Sequence, residues 1–175
     1  MSCDISLGRL EVCKESVGGL KNVYFVNYGD MTTIIYNGTN TDVIDEVGGT
    51  PSAYKYELKG TNSFDQNITS SRENGTTFFE QNLKLTLKKL TPTMHKELKL
   101  LAYGRPNVIV EDHNGNLFLA GLEYGMEVTG GTIVTGTAMG DLSGYTLDLK
   151  GMEKVPANFL GDDLASVGFT IVSGS

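Results

Sequence analysis

The 175-residue chain has no tryptophan and only four prolines, two histidines and two cysteines. So few prolines exclude a collagen-like or proline-rich linker sequence. Cys3 and Cys13 form no CxxC pair and are too few for a disulfide framework, so we expect free thiols. His95 and His113 have no cysteine or second histidine at ligand spacing, which argues against a structural zinc site.

Long apolar runs are also missing. No run approaches the roughly 18 residues of a membrane-spanning helix, and the first residues lack the basic start and apolar stretch of a secretory signal. We therefore expect a chain that is made and used without export and that has no membrane partner. No phosphate-binding loop or nucleophile elbow is present, so we predict a non-enzyme with no catalytic residue, no cofactor and no metal.

Glycine is abundant, at 22 of 175 residues, about twice the average usage of roughly 7%. Hydrophobic residues make up 39% of the chain, which is enough for a core. The length fits a single domain over residues 1–175. Short β-branched and aromatic runs between turn residues predict about nine antiparallel strands, arranged as a sandwich or barrel.

Individual strands are predicted where such runs occur. Tyr54, Tyr56 and Leu58 alternate with charged residues, which is the period of a half-buried strand. Other predicted strands are residues 20–28, 32–36, 42–47, 125–138, 144–152 and 167–172. Residues 161–175 form a C-terminal extension that we expect either to cap a sheet edge or to exchange with a neighbouring copy.

The most informative stretch is residues 64–90, which predicts a long hairpin arm. Asn74-Gly75 is a common tight-turn signal, and an unbroken strand of about a dozen residues follows it. Leu83, Leu85 and Leu87 share one face, but the strand is poor in core residues before Gln81. An arm that the monomer's core does not need is expected to pair with another subunit.

One flanking helix is predicted over residues 92–103. Thr91 is a good N-cap, Pro92 suits the first helical position, and Gly104 suits the position after the last turn. Met94, Leu98 and Leu101 give a narrow apolar stripe at helical spacing.

Residues 108–110 and 117–119 predict a second hairpin, with Asn114-Gly115 in its turn. Asp112–Asn116 superficially resembles a calcium-binding loop. In an EF-hand the glycine stands at loop position six, whereas here it is the fourth residue from Asp112. We therefore predict a type I′ turn and no calcium.

Charge is unevenly distributed along the chain. The net charge is −7, yet Lys84 to Arg105 contains six basic residues and one acidic residue, a net charge of +5. The remainder carries −12. A chain that is acidic overall is a poor non-specific binder of nucleic acid. We interpret this split either as a basic stripe that meets an acidic face of another copy or as an ordinary solvated surface.

The second half of the chain resembles tail tube-like structural proteins of tailed bacteriophages, especially those that infect gut Bacteroidetes. The resemblance covers roughly residues 54–160. The resemblance rests on the order of the elements and on the glycine-rich segments: the hairpin through Arg72–Thr76, strand 78–85, helix 92–103, hairpin 110–116, segment 130–136 and segment 140–147.

The resemblance implies a β-sandwich or small barrel whose copies close into hexameric rings around a continuous inner barrel. It implies stacked rings that conduct DNA without binding it specifically, other tail proteins as partners, and a virion location after synthesis in the host cytoplasm. Residues 64–90 match the family's inter-subunit hairpin. The expected contact residues are Arg72, Glu73, Asn74, Gly75, Thr76, Phe78, Lys84 and Lys88. On this interpretation, acidic residues should dominate the inner wall and repel phosphate.

Two other functions remain open from the residues. A carbohydrate-binding β-sandwich would use exposed aromatic side chains such as Tyr54, Tyr56 or Tyr124 as a platform. A capsid decoration or head–neck protein would share the virion setting without forming a tube.

Overall fold

The computed structural model describes residues 3–174, which form two β-sheets and two helices. The chain is mainly β and has the two-sheet arrangement of a sandwich, as the sequence predicts. In chain order the strands are β1 (Leu20–Val26), β2 (Ile34–Tyr36), β3 (Val43–Val47), β4 (Ser52–Glu57), β5 (Ser63–Ser71), β6 (Thr76–Lys88), β7 (Asn107–Asp112), β8 (Leu117–Ala120), β9 (Glu127–Val134), β10 (Gly144–Glu153), β11 (Asn158–Leu160) and β12 (Thr170–Val172). The helices are α1 (Pro92–Tyr103) and α2 (Leu164–Val167).

The two sheets differ in size and in connectivity. The larger sheet has eight strands in the order β12-β4-β1-β7-β8-β11-β3-β2, and the smaller has four in the order β5-β6-β10-β9. The smaller sheet is antiparallel throughout. In the larger sheet, β11 runs parallel to β3 and β12 runs parallel to β4.

The main core lies between the two sheets. β6 and β10 present alternate side chains to it because successive residues of a strand point to opposite faces. Leu83, Leu85, Tyr145 and Leu149 are almost completely buried there. They pack with residues of the larger sheet and with Leu98 of α1: Val23, Phe25, Val108, Val110 and Ala120.

A second cluster covers the opposite face of the larger sheet. Val26, Ile44, Ile109 and Leu119 are fully buried in it. Leu164 and Val167 of α2 and Phe169 close this cluster from outside. The larger sheet is therefore buried on both faces, which explains why Val23–Val26 is an uninterrupted apolar run.

Helix α1 has the predicted bounds. The Thr91 hydroxyl accepts a hydrogen bond from the backbone N–H of Met94 at 3.2 Å, and Pro92 begins the helix. Leu98 is buried, and Met94 and Leu101 pack against the main core. Gly104 ends the helix at φ −98°, so its left-handed freedom is not used.

The predicted number of elements was too small, because residues 3–174 contain twelve strands and two helices rather than nine and one. Val167, which was predicted to begin the last strand, instead ends α2, and β12 begins at Thr170. β12 pairs with β4 of the same chain, so the described part of the C-terminal extension caps a sheet edge. Ser175 lies outside the described residues.

The predicted type I′ turn at Asn114-Gly115 is wrong. That turn needs positive φ at both central residues, but only Gly115 has it, at φ +85°. The Asp112 carboxylate accepts hydrogen bonds from the backbone N–H groups of Asn114 and Asn116, at 3.0 and 2.8 Å. This side chain stabilises a wider turn. The turn of the hairpin arm, between β5 and β6, has four residues, because Ser71 pairs with Thr76.

Candidate assembly surfaces

The predicted hairpin arm is present, and its tip extends beyond the third strand of the smaller sheet. β6 pairs with β10 as far as Phe79, whereas its pairing with β5 continues to Thr76. Among the described residues, 69–78 therefore form a two-stranded ribbon. The turn residues Arg72–Gly75 are exposed at its end.

The ribbon brings together some of the predicted contact residues but not all of them. Arg72, Glu73, Asn74, Gly75 and Thr76 are neighbours at the exposed tip, and Phe78 is half-buried just below them. Lys84 and Lys88 are exposed on the outer face of the smaller sheet. Lys84 is eight residues from Thr76, about 27 Å along the strand. These residues therefore occupy two surfaces.

The smaller sheet has two long edges that are unpaired within residues 3–174. One edge is β5, with 9 residues, and the other is β9, with 8 residues. Each exposes one large apolar side chain: Ile68 on β5 is 71% exposed and Ile133 on β9 is 60% exposed. An unpaired strand edge presents N–H and C=O groups that can pair with another chain.

The outer face of the smaller sheet is polar and carries both charges. The register places Asp65, Glu80, Glu127 and Asp148 on this face together with Lys84, Lys88 and Lys150. Lys150 Nζ lies 3.1 Å from Glu80 Oε1, and this hydrogen bond holds the pKa of Glu80 below its usual range. Four acidic and three basic side chains thus share this face. The acidic lumen wall stays a prediction.

The basic segment does not form one stripe. Lys84 and Lys88 lie on the outer face of the smaller sheet, whereas Lys96 and Lys99 are exposed on α1. Arg105 stacks on the ring of Tyr28, with its Cζ 4.1 Å from the ring centroid. The stripe interpretation is therefore wrong, because the fold distributes these cations over several surfaces.

Residues 3–18 contain no helix or strand, and all of them are exposed. We call this segment the N-terminal arm. Its apolar side chains are the most exposed series in the described chain: Ile5 is 96% exposed, Leu7 89% and Leu10 87%, with Val12 and Val17 also exposed. The arm is held at its root, where Asn114 Oδ1 accepts from Val17 N at 2.9 Å and Asn114 Nδ2 donates to Val17 O at 2.7 Å.

Sequence reasoning did not identify this arm as a site. A signal was present, since Ile5 and Leu7, and then Leu10 and Val12, are spaced two apart as in a half-buried strand. In the structure, none of residues 3–18 forms a strand in either sheet. A series of exposed apolar side chains is typical of an interaction surface.

A cavity of about 220 Å³ lies beside the end of β8. Its apolar wall includes Ile34, Leu119 and Leu122. Its polar groups include the side chains of Gln81 and Glu153. Gln81 is 1% exposed, and its Oε1 accepts a hydrogen bond from Gly121 N at 2.8 Å. This bond connects the two sheets at one end of the sandwich.

Glu153 is a carboxylate without a cationic partner among the described residues, and it is only 4% exposed. Its Oε1 accepts from the backbone N–H groups of Glu123 and Tyr124, at 3.2 and 3.1 Å. Burial raises the pKa of Glu153 against the opposing effect of these two N–H groups.

The three tyrosines considered for carbohydrate binding do not form one exposed platform. Tyr56 packs edge-on against Phe25, with ring centroids 4.9 Å apart, and burial raises its pKa. Tyr54 is 40% exposed on β4, and Tyr124 is 46% exposed after β8, with Lys154 near its ring.

Residues 3–174 contain no group of three or more His, Cys, Asp or Glu side chains that could hold a metal ion. His95 instead bonds the Tyr145 hydroxyl, and Cys3 and Cys13 are free and exposed. None of the helices described is long and apolar enough to cross a membrane.

Comparison with known proteins adds no relative. No protein-family model, no curated protein and no solved structure matches this chain.

Proposed function

We propose that this chain is a non-enzymatic structural protein of the tailed-phage virion, and that its copies pair edge to edge into rings of the tail tube. The observation that carries the proposal is the smaller sheet, whose two long edges are both unpaired in the described chain. β5 and β9 differ in sequence, so an edge contact between them is head-to-tail. Head-to-tail contacts generate rings when the rotation closes.

In such a ring, β5 of one copy would pair with β9 of the next, and the smaller sheets would form a continuous inner wall. Their polar outer faces would line the hole, while α1 and the larger sheet would stay outside. The mixed charges of that face offer DNA no cationic track. The chain's net charge of −7 also disfavours retention of a polyanion.

The experiment places a charge on each edge. Ile68→Lys and Ile133→Lys should prevent ring formation, because a lysine on an exposed strand edge opposes pairing with another chain. Both side chains are exposed, so the melting temperature should change by no more than about 2–4 °C. Leu100→Lys is the matched control, since Leu100 is 54% exposed on α1 and belongs to neither edge strand.

Size-exclusion light scattering and negative-stain electron microscopy provide the measurement. Wild type and Leu100→Lys should form rings, whereas both edge variants should remain folded monomers. Edge variants that assemble like wild type would exclude this edge contact. A wild-type monomer that binds glycans would favour the carbohydrate-binding alternative instead.

A further inference from the structure

The cavity beside the end of β8 has a wall that is largely apolar. Its apolar side chains come from β2, from β8 and the residues after it, and from the segment before β11: Ile34, Leu119, Leu122, Val155, Pro156 and Ala157. The cavity volume is about 220 Å³. Because an apolar cavity of about 150 Å³ is enough to hold benzene, this one has room for roughly seven to nine non-hydrogen atoms.

Two carboxylates line the same cavity, and they differ in how their charge is compensated. Glu123 is exposed and pairs with Lys154, whose Nζ lies 3.6 Å from Glu123 Oε1. Glu153 is only 4% exposed, and none of the four ion pairs within residues 3–174 includes it. The cavity therefore contains one buried acidic side chain whose charge no lysine or arginine of the described chain neutralises.

Hydrogen bonds compensate the charge of Glu153 only in part. Its Oε1 accepts from the backbone N–H groups of Glu123 and Tyr124, which are neutral dipoles. Burial still raises the pKa of Glu153. A cation beside a buried carboxylate stabilises the ionised form, so a positively charged ligand gains more here than a neutral ligand of the same size.

Two buried amide side chains also line the cavity and add no charge. Gln81 Oε1 accepts from Gly121 N at 2.8 Å, and Asn158 Nδ2 donates to the carbonyl oxygen of Thr41 at 3.2 Å. Both amides are thus bonded within the fold. The charge in the buried part of the cavity is therefore that of Glu153.

These features fit a primary ammonium group on a short hydrocarbon chain. Ammonium N–H groups form charge-assisted hydrogen bonds with a carboxylate. The hydrocarbon chain gains by leaving water, at roughly fourfold in affinity for each buried methylene. Anionic ligands are disfavoured, because both acidic side chains of the wall repel them.

We propose that this cavity binds a small primary alkylammonium ion, with the ammonium group on Glu153 and the hydrocarbon chain against the apolar wall. The site uses residues of a single chain, so the inference goes beyond the proposed self-assembly and does not depend on it. The occupant is a free amine rather than the lysine side chain of another protein, because the shorter lysine chain fills less of the cavity.

Isothermal titration calorimetry of the wild-type chain at neutral pH tests the proposal. The probes are n-hexylammonium and hexan-1-ol, which have equal numbers of non-hydrogen atoms and differ in charge. We expect one hexylammonium ion per chain, bound at least about tenfold more tightly than the alcohol. Ethylammonium lacks four methylenes and should bind at least about tenfold more weakly than hexylammonium.

Glu153→Gln assigns the preference to one side chain. The variant keeps the shape of the site and removes its charge, so it should bind hexylammonium and hexan-1-ol equally. Retained binding of the alcohol shows that the cavity is intact. Glu127→Gln is the matched control, since it removes a carboxylate from an exposed position on β9 and should keep the wild-type preference.

The wild-type comparison decides the matter even if Glu153→Gln fails to fold. Equal binding of hexylammonium and hexan-1-ol to wild type would overturn the proposal, as would an unchanged preference in a folded Glu153→Gln chain. Tighter binding of Nα-acetyl-lysine methylamide than of hexylammonium would overturn the free amine as occupant. Loss of rings in the edge variants has no bearing on these affinities, so the two proposals fail separately.

Discussion

At the scale of single residues, Glu153 is the clearest departure from ordinary core chemistry. A buried carboxylate without a cation is costly, and two backbone N–H groups offset only part of that cost. The nearest charges, Glu123 and Lys154, form their own pair at 3.6 Å. The raised pKa of Glu153 therefore reflects a residue that destabilises the isolated chain when it is ionised.

We expect Glu153→Gln to stabilise the monomeric Ile133→Lys chain at neutral pH. Burial raises the folded pKa of Glu153 above the unfolded value of about 4.3. The folded state is therefore most stable below that value, where Glu153 is protonated, and it loses stability as the pH rises through the folded pKa and the carboxylate ionises. A gain of about 1 kcal/mol would raise the melting temperature by about 2–4 °C.

Thermal melts at several pH values provide the measurement. The advantage of Glu153→Gln should be largest at pH 7–8 and shrink towards pH 4. Glu127→Gln, at an exposed carboxylate of β9, is the control and should show no such trend. An advantage that grows on acidification would contradict the sign of this argument.

Individual residues differ in how far the sequence reveals their position. Leu83 and Leu85 were assigned to the buried face from their alternation alone, and both are buried. Gln81 and Glu153 were not recognised as buried, because their partners are remote. Gln81 meets a backbone N–H that is 40 residues away in the chain. Local pattern carries no information on such a contact.

At the scale of elements, a helix or strand was predicted correctly where its sequence signals lie close together in the chain. α1 was predicted with its observed bounds because its N-cap, first-position proline and apolar stripe all lie within a dozen residues. α2 was missed because four residues are too short to show a period. β11 and β12, with three residues each, exist through pairing with distant strands.

The hairpin ribbon gives a prediction at this scale. Replacing residues 70–77 with Asn-Gly should leave a folded chain, because the removed residues lie beyond the pairing with β10 and are almost all exposed. Thr69 and Phe78 would then flank a two-residue turn. We expect a melting temperature within about 4 °C of wild type and a loss of assembly.

Circular dichroism and light scattering on the same sample measure both effects. Unfolding of the shortened chain would show that the monomer needs the ribbon. Normal rings would show that the ribbon makes no contact between copies.

At the scale of the whole molecule, the sheet order was beyond sequence reasoning. The order of eight strands in the larger sheet mixes the beginning, middle and end of the chain. Such pairings depend on the packing of both faces at once. The hairpin arm was predicted, but not that its sheet would have two long open edges.

The same scale explains how one small chain can present several contacts. The smaller sheet offers two different edges, the N-terminal arm exposes apolar side chains, and a cavity lies beside the end of β8. The edges β5 and β9 differ in sequence. A contact between them is head-to-tail, which gives an assembly a direction.

The most direct test of the central claim is negative-stain electron microscopy of the purified wild-type chain, with light scattering on the same sample. The account predicts rings of uniform diameter with a central hole and a scattering mass that is a multiple of the 18.9 kDa chain. A single monomeric species at every concentration, with no rings on the grid, would contradict it.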